Sequence, residues 1–141
     1  MNDLLVFQLP TVALSAVGLY TCWHFAAGQF NWSPKHRKSM EIICEEDHCT
    51  KLSDTPYYRL LYFPNWYFGT AFYLFCSICT WLSAPLIPWL TILGSLAAVG
   101  MGIILIWSLA VKLRFFCVYC YTAHAVNLLL LGLFITRLLT T

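Results

Sequence analysis

Seven cysteines stand in this sequence, and their spacing raises the chemical question. Cys117-Val118-Tyr119-Cys120 is a C-x-x-C pair that follows Lys112 and Arg114 and opens an apolar stretch. That position predicts a helix N-terminus at a membrane boundary. There the positive end of the helix dipole and the unpaired N–H groups favour a thiolate, and i, i+3 spacing lets two sulfurs bridge, so the chemistry on offer is thiol–disulfide exchange. Cys44 and Cys49 form a looser C-x4-C pair in a polar segment. A regular helix would hold their Cα atoms beyond the roughly 7 Å that a disulfide tolerates, so a bridge between them requires a turn or an irregular loop. Glu45-Glu46-Asp47-His48 between them suits an exposed loop.

The remaining cysteines read differently. Cys76-Ser77-Ile78-Cys79 repeats the C-x-x-C spacing but lies among Phe75, Ile78 and Trp81, and a thiol in apolar surroundings is an inert small hydrophobe. Cys76, Cys79 and Cys22 are therefore assigned to packing. His24, in another apolar run, reads as a hydrogen-bonded packing histidine, and His36 beside Lys35, Arg37 and Lys38 as part of a solvated face. Two other uses of the four boundary cysteines stay open: a structural Cys44–Cys49 disulfide, and a tetrahedral zinc site with His48 in reserve. Three carboxylates crowd the C-x4-C arm, which lacks the usual zinc spacing, so no metal is expected.

The elements that must position these cysteines follow from composition. Of 141 residues, 60% are hydrophobic and 10% charged, against about 25% charged in a soluble domain. Eight basic and six acidic residues without a basic stripe exclude a nucleic-acid partner, and the apolar content makes the lipid bilayer the solvent. Four windows approach the length a bilayer core demands, at residues 4–27, 66–82, 89–111 and 117–139. The first has no basic stretch before it and reads as a retained span rather than a cleaved signal peptide. Pro85 and Pro88 are expected to stop helices between the second and third windows, and Gly94, Gly100 and Gly102 to offer close helix contact in the third. The expected fold is an all-α integral membrane protein, a single domain over residues 1–141. Its four-transmembrane-helix bundle has a long loop at 28–65, which holds ten of the fourteen charged residues. Long loops of this kind are usually functional. With four spans, that loop and the 112–120 turn share one side, bringing the two cysteine pairs together.

These features together resemble the vitamin K epoxide reductase family, which has four transmembrane helices, a cysteine pair in the first long loop and C-x-x-C at the start of the last helix. Cys49-Thr50-Lys51-Leu52 leads to Thr55, where the family has Ser or Thr, and then to Pro56-Tyr57. Pro64-Asn65-Trp66-Tyr67-Phe68-Gly69 is similar to the family's entry into the second helix, and the run from Cys117 through Cys120 and His124 to Asn127 to its active-site helix. A bacterial quinone-coupled disulfide oxidase has a similar bundle, but its C-x-x-C precedes the looser pair, the reverse of the order here. The chain departs from the epoxide reductase pattern in its short C-x4-C and in carrying His124 where vertebrate members have tyrosine. It is expected to be a small member without the fused thioredoxin-like domain of many bacterial members.

The resemblance implies an electron relay from a thioredoxin-fold thiol protein to a membrane quinone such as ubiquinone, menaquinone or vitamin K, which is substrate and not a resident group. Cys44, Cys49, Cys117 and Cys120 would carry it. A partner thiol attacks Cys44, freed Cys49 attacks Cys117, and Cys120 faces the quinone. Asn65 and His124 are donors to the quinone oxygen by family position, with helix capping the other reading of Asn65. Thr55 would support the loop or bond a donor, and Phe68, Phe72 and Tyr73 are candidate walls. Most basic residues lie on the cysteine side, which by the positive-inside rule would face the cytoplasm. Disulfide chemistry and the resemblance favour the opposite, an exoplasmic site in a periplasm, exterior or ER lumen. A non-enzymatic membrane module held by a disulfide or zinc is the second reading. A transporter component is disfavoured by spans without central charges.

Overall fold

The computed structural model describes residues 4–30, 56, 59–60, 63–82, 85–114 and 116–140. Cys44, Cys49 and Thr55 lie outside the described residues. The chain enters through a π-helical turn, Leu4–Gln8, into α1, Leu9–Gln29. After a short antiparallel pair, β1 (Arg59–Leu60) and β2 (Phe63–Pro64), come α2 (Asn65–Cys79), α3 (Ile87–Trp107) and α4 (Val118–Thr140). Four residues of strand are the one departure from the all-helical expectation among the described elements.

This is an all-α membrane protein. Three stretches, Val6–Ala27, Ile87–Lys112 and Val118–Thr140, are long and apolar enough to cross a bilayer. The 15 residues of α2 rise about 22 Å, short of the roughly 30 Å hydrocarbon core. Large apolar side chains cover the outer faces, among them Leu93, Leu96, Ile103 and Ile104 of α3 and Leu128, Leu129 and Leu139 of α4. In water such a surface would be a liability, but lipid solvates it. Several buried hydroxyls bond within their own helices, as where Thr21 donates to Gly18 O at 2.7 Å and Ser95 to Thr91 O at 2.7 Å.

The helices form a ring in which α1 packs on α2 and α4, α3 packs on α4, and α2 meets α3 least. The α1–α2 seam is antiparallel: Gly18 faces the Tyr73 ring, Gly69 faces Cys22 Sγ, and Phe30 lies edge-on to Trp66 at 6.0 Å. A core of Cys22, Tyr73, Cys76, Val126, Leu130 and Phe134 fills the centre. Without a hydrophobic drive between helices in lipid, close approach at small residues supplies the attraction. On α3, Gly94 meets Phe72 and Gly102 meets His124, but a Cβ at Gly100 would have no neighbour within 4 Å, so the close contact expected there is absent. Pro88, expected to precede the third span as a stop, instead lies in the first turn of α3. Proline is tolerated there because the N–H it lacks would have no helical partner.

Candidate functional site

The chain leaves α3 through a π-helical segment, Ser108–Leu113, and reverses at Arg114, whose φ of 53° is left-handed. This reversal delivers Cys117 to the start of α4. Cys117 occupies the cap place: its carbonyl accepts from Tyr121 N–H at 3.1 Å and its Sγ from Cys120 N–H at 3.4 Å. Sulfur stands where a capping serine or aspartate oxygen would otherwise accept. The Cys117 thiol is held below its ordinary value. Hydrogen bonding from the Cys120 side chain favours the thiolate most, burial opposes it, and the Cys120 and Tyr119 N–H groups add to the lowering. Both cysteines are buried, 1% and 7% exposed.

Aromatic packing holds the motif against α1. Tyr119 stacks on His24 at 4.9 Å and meets Phe25 edge-on at 6.3 Å, and His24 also lies 4.5 Å from Tyr20. His24 thus packs against the Cys117–Cys120 segment.

One turn into α4, Cys120 opens onto a cavity of about 270 Å³ between the four helices. Its walls are Thr21, Cys22 and Phe25 of α1; Asn65, Trp66, Phe68, Gly69, Phe72 and Tyr73 of α2; Gly94, Ala97, Ala98, Met101 and Leu105 of α3; and Cys120, Ala123, His124 and Asn127 of α4. A mostly apolar space with a few convergent polar groups is the usual form of a small-molecule site, and this volume suits one or two fused rings. The structure brings Asn65, Phe68, Phe72, Tyr73, Cys120 and His124 to this cavity, and leaves Cys117 behind the wall as the cap of α4.

Asn65 is the first residue of α2, with Pro64 in the cap place, so it does not cap the helix. Its amide is available to the cavity. His124 is 9% exposed, and its buried Nδ1 has no hydrogen-bond partner among the described residues; it is seated over Gly102, where an added Cβ would come within 2.6 Å. Cys76 and Cys79 are buried in α2 away from the cavity, whereas Cys22, assigned to packing, also forms part of its wall. Sequence reasoning did not place Thr21, Cys22, Phe25, Asn127 or any α3 residue here. Of these, Asn127 alone carried a readable signal, since it falls seven residues after Cys120 on the same helical face. Among the described residues, no group of three or more His, Cys, Asp or Glu side chains is placed to hold a metal.

The profile of the vitamin K epoxide reductase family matches residues 9–135, nearly the whole chain. The chain belongs to that family. No curated protein matches the chain, so the family profile carries the assignment. Membership in the vitamin K epoxide reductase family makes this a membrane thiol–disulfide oxidoreductase.

Proposed function

We propose that the protein carries two electrons from a thioredoxin-fold thiol protein through Cys44 and Cys49 to Cys117 and Cys120, and from Cys120 to a membrane quinone. The observation that supports this reading most is that Cys120, and not Cys117, lines an apolar cavity with polar groups of Asn65 and His124 in its wall. Phe68, Phe72 and Tyr73 would wall the ring, and Thr55 would support the loop. The helix α2 is read as a fourth span, which puts both termini on one side and the cysteine pairs together on the other, exoplasmic side.

The electron count closes. A partner thiolate attacks Cys44 of the Cys44–Cys49 disulfide, and Cys49 leaves as a thiolate. Cys49 attacks Cys117, breaking the Cys117–Cys120 bond, and Cys120 leaves as a thiolate. Cys44, freed as the partner closes its own disulfide, resolves the Cys49–Cys117 bond and regenerates the loop disulfide. Cys120 passes an electron pair to the quinone, Cys117 closes on Cys120, and the quinol takes the two electrons together with two thiol protons. The place of Cys117 at the helix N-terminus favours its thiolate in that closing step.

A thiolate lying against a quinone ring gives a charge-transfer absorbance band. Wild-type protein reduced in the presence of quinone is expected to show it and Cys120→Ser to lack it; a band that persists in Cys120→Ser would end this reading. Alanine at both Cys76 and Cys79 is expected to leave most quinone-coupled turnover intact, because both side chains lie in the core away from the cavity. Loss of turnover in folded protein would bring that pair into the relay.

A further inference from the structure

Cys120, His124 and Asn127 fall at i, i+4 and i+7 on α4, and all three line the cavity. Asn127 is 8% exposed, so its polar atoms can be served only from within the protein or from the cavity. The Tyr73 hydroxyl donates to Asn127 Oδ1 at 2.8 Å and lies 3.3 Å from Ala123 O. That bond orients the amide: Oδ1 is occupied, and Nδ2 is left toward the cavity with no partner among the described residues. Tyr73 is itself 2% exposed and seated against Gly18, so the phenol is held in place. The bond is a long-range one between α2 and α4, made across the floor of the cavity.

We propose that Asn127 is a ligand-binding residue. Its Nδ2 donates a hydrogen bond to the quinone oxygen farther from Cys120, while the nearer oxygen is served by His124 and Asn65. Tyr73 acts as the positioning residue that sets the amide. The spacing supports a ligand with oxygens at both ends of a ring, since i, i+3 side chains on a helix stand about 5–6 Å apart at Cβ. This inference rests on the quinone reading and adds a second oxygen-recognition point, so it selects 1,4-diones over ring ketones with a single oxygen.

The test uses the full chain in nanodiscs, with a small dithiol as donor and two probes: menadione, which carries both oxygens, and 2-methyl-1-tetralone, which carries one, as a competitor. Asn127→Leu is expected to raise the menadione KM roughly tenfold, with kcat and trapping of the Cys49–Cys117 mixed disulfide little changed, and to leave tetralone affinity where it was. Tyr73→Phe, which keeps the ring but releases the amide, is expected to raise the same KM several-fold and serves if Asn127→Leu fails to fold. An unchanged menadione KM in the folded variants overturns the proposal, as does an equal loss of affinity for both probes. Wild-type protein that neither binds nor reduces menadione would overturn the quinone reading, and this inference with it.

Discussion

Cys120→Ser is expected to abolish quinone reduction with either a protein thiol or a small membrane-permeant dithiol as donor, by at least about three orders of magnitude, the scale on which enzymes lose turnover when a covalent nucleophile is removed. The reason is position. Among the described cysteines, Cys120 alone combines C-x-x-C spacing with a place in the cavity wall, and no neighbour can take over its part. Cys49→Ser is expected to behave differently. It should block transfer from a protein donor, which cannot enter the bundle, and spare reduction by a small dithiol that reaches the inner pair directly. Turnover measured with both donors separates the cases. If Cys49→Ser stops the small dithiol while Cys120→Ser does not, the relay runs in another order.

Gly18 carries the second large effect, and here stability is the quantity that changes. A Cβ at Gly18 would run into the Tyr73 ring, which is buried and bonded to Asn127. Glycine to alanine in a helix interior otherwise gains up to about 1 kcal/mol. Overpacking costs about 1–3 kcal/mol, and loss of the Tyr73 hydrogen bond adds roughly 0.5–1.5 kcal/mol, so the clash outweighs the gain. Gly18→Ala should lower thermal stability, and Gly18→Leu should prevent assembly of the α1–α2 seam. Gly100→Ala and Gly132→Ala, where a Cβ meets nothing within 4 Å, are the matched controls and should be neutral or slightly stabilising. Melting curves of the four variants in one detergent decide the matter; a Gly18→Ala protein as stable as the Gly100→Ala protein would show that Tyr73 yields freely.

Some of this was legible in residue order alone. The apolar stretches stand out because charges interrupt them, and Cys120 and His124 declare a common face by their i, i+4 spacing. Which helix neighbours which is a property of packing, so the contributions of Thr21, Cys22 and Phe25 from α1, and of Gly94, Ala97, Ala98 and Met101 from α3, were hidden. So was the use of individual glycines: Gly102 seats an imidazole and Gly94 a phenyl ring, whereas Gly100, a few residues away with the same local sequence character, seats nothing. Asn65 read as a quinone donor with helix capping as the alternative, and the position of Pro64 decides that it does not cap. Asn127 could be placed on the face of Cys120 by its spacing, but its orientation could not be read until its Tyr73 partner was known.

As the proposed fourth span, α2 is short, and its shortness would couple the active site to the membrane's elasticity. Three of the four helices match or exceed the hydrocarbon thickness, but α2 falls short by about 8 Å if upright. With α2 as the proposed fourth span, the lipid beside it would thin, at a cost of fractions of a kcal/mol per Å of mismatch. The cavity has walls on both α2 and α3, the ring neighbours that pack least tightly, so the strained annulus would border it. A thicker bilayer would raise that cost and a thinner one relieve it, which would make acyl-chain length a control parameter for this protein alongside its thiol–disulfide chemistry.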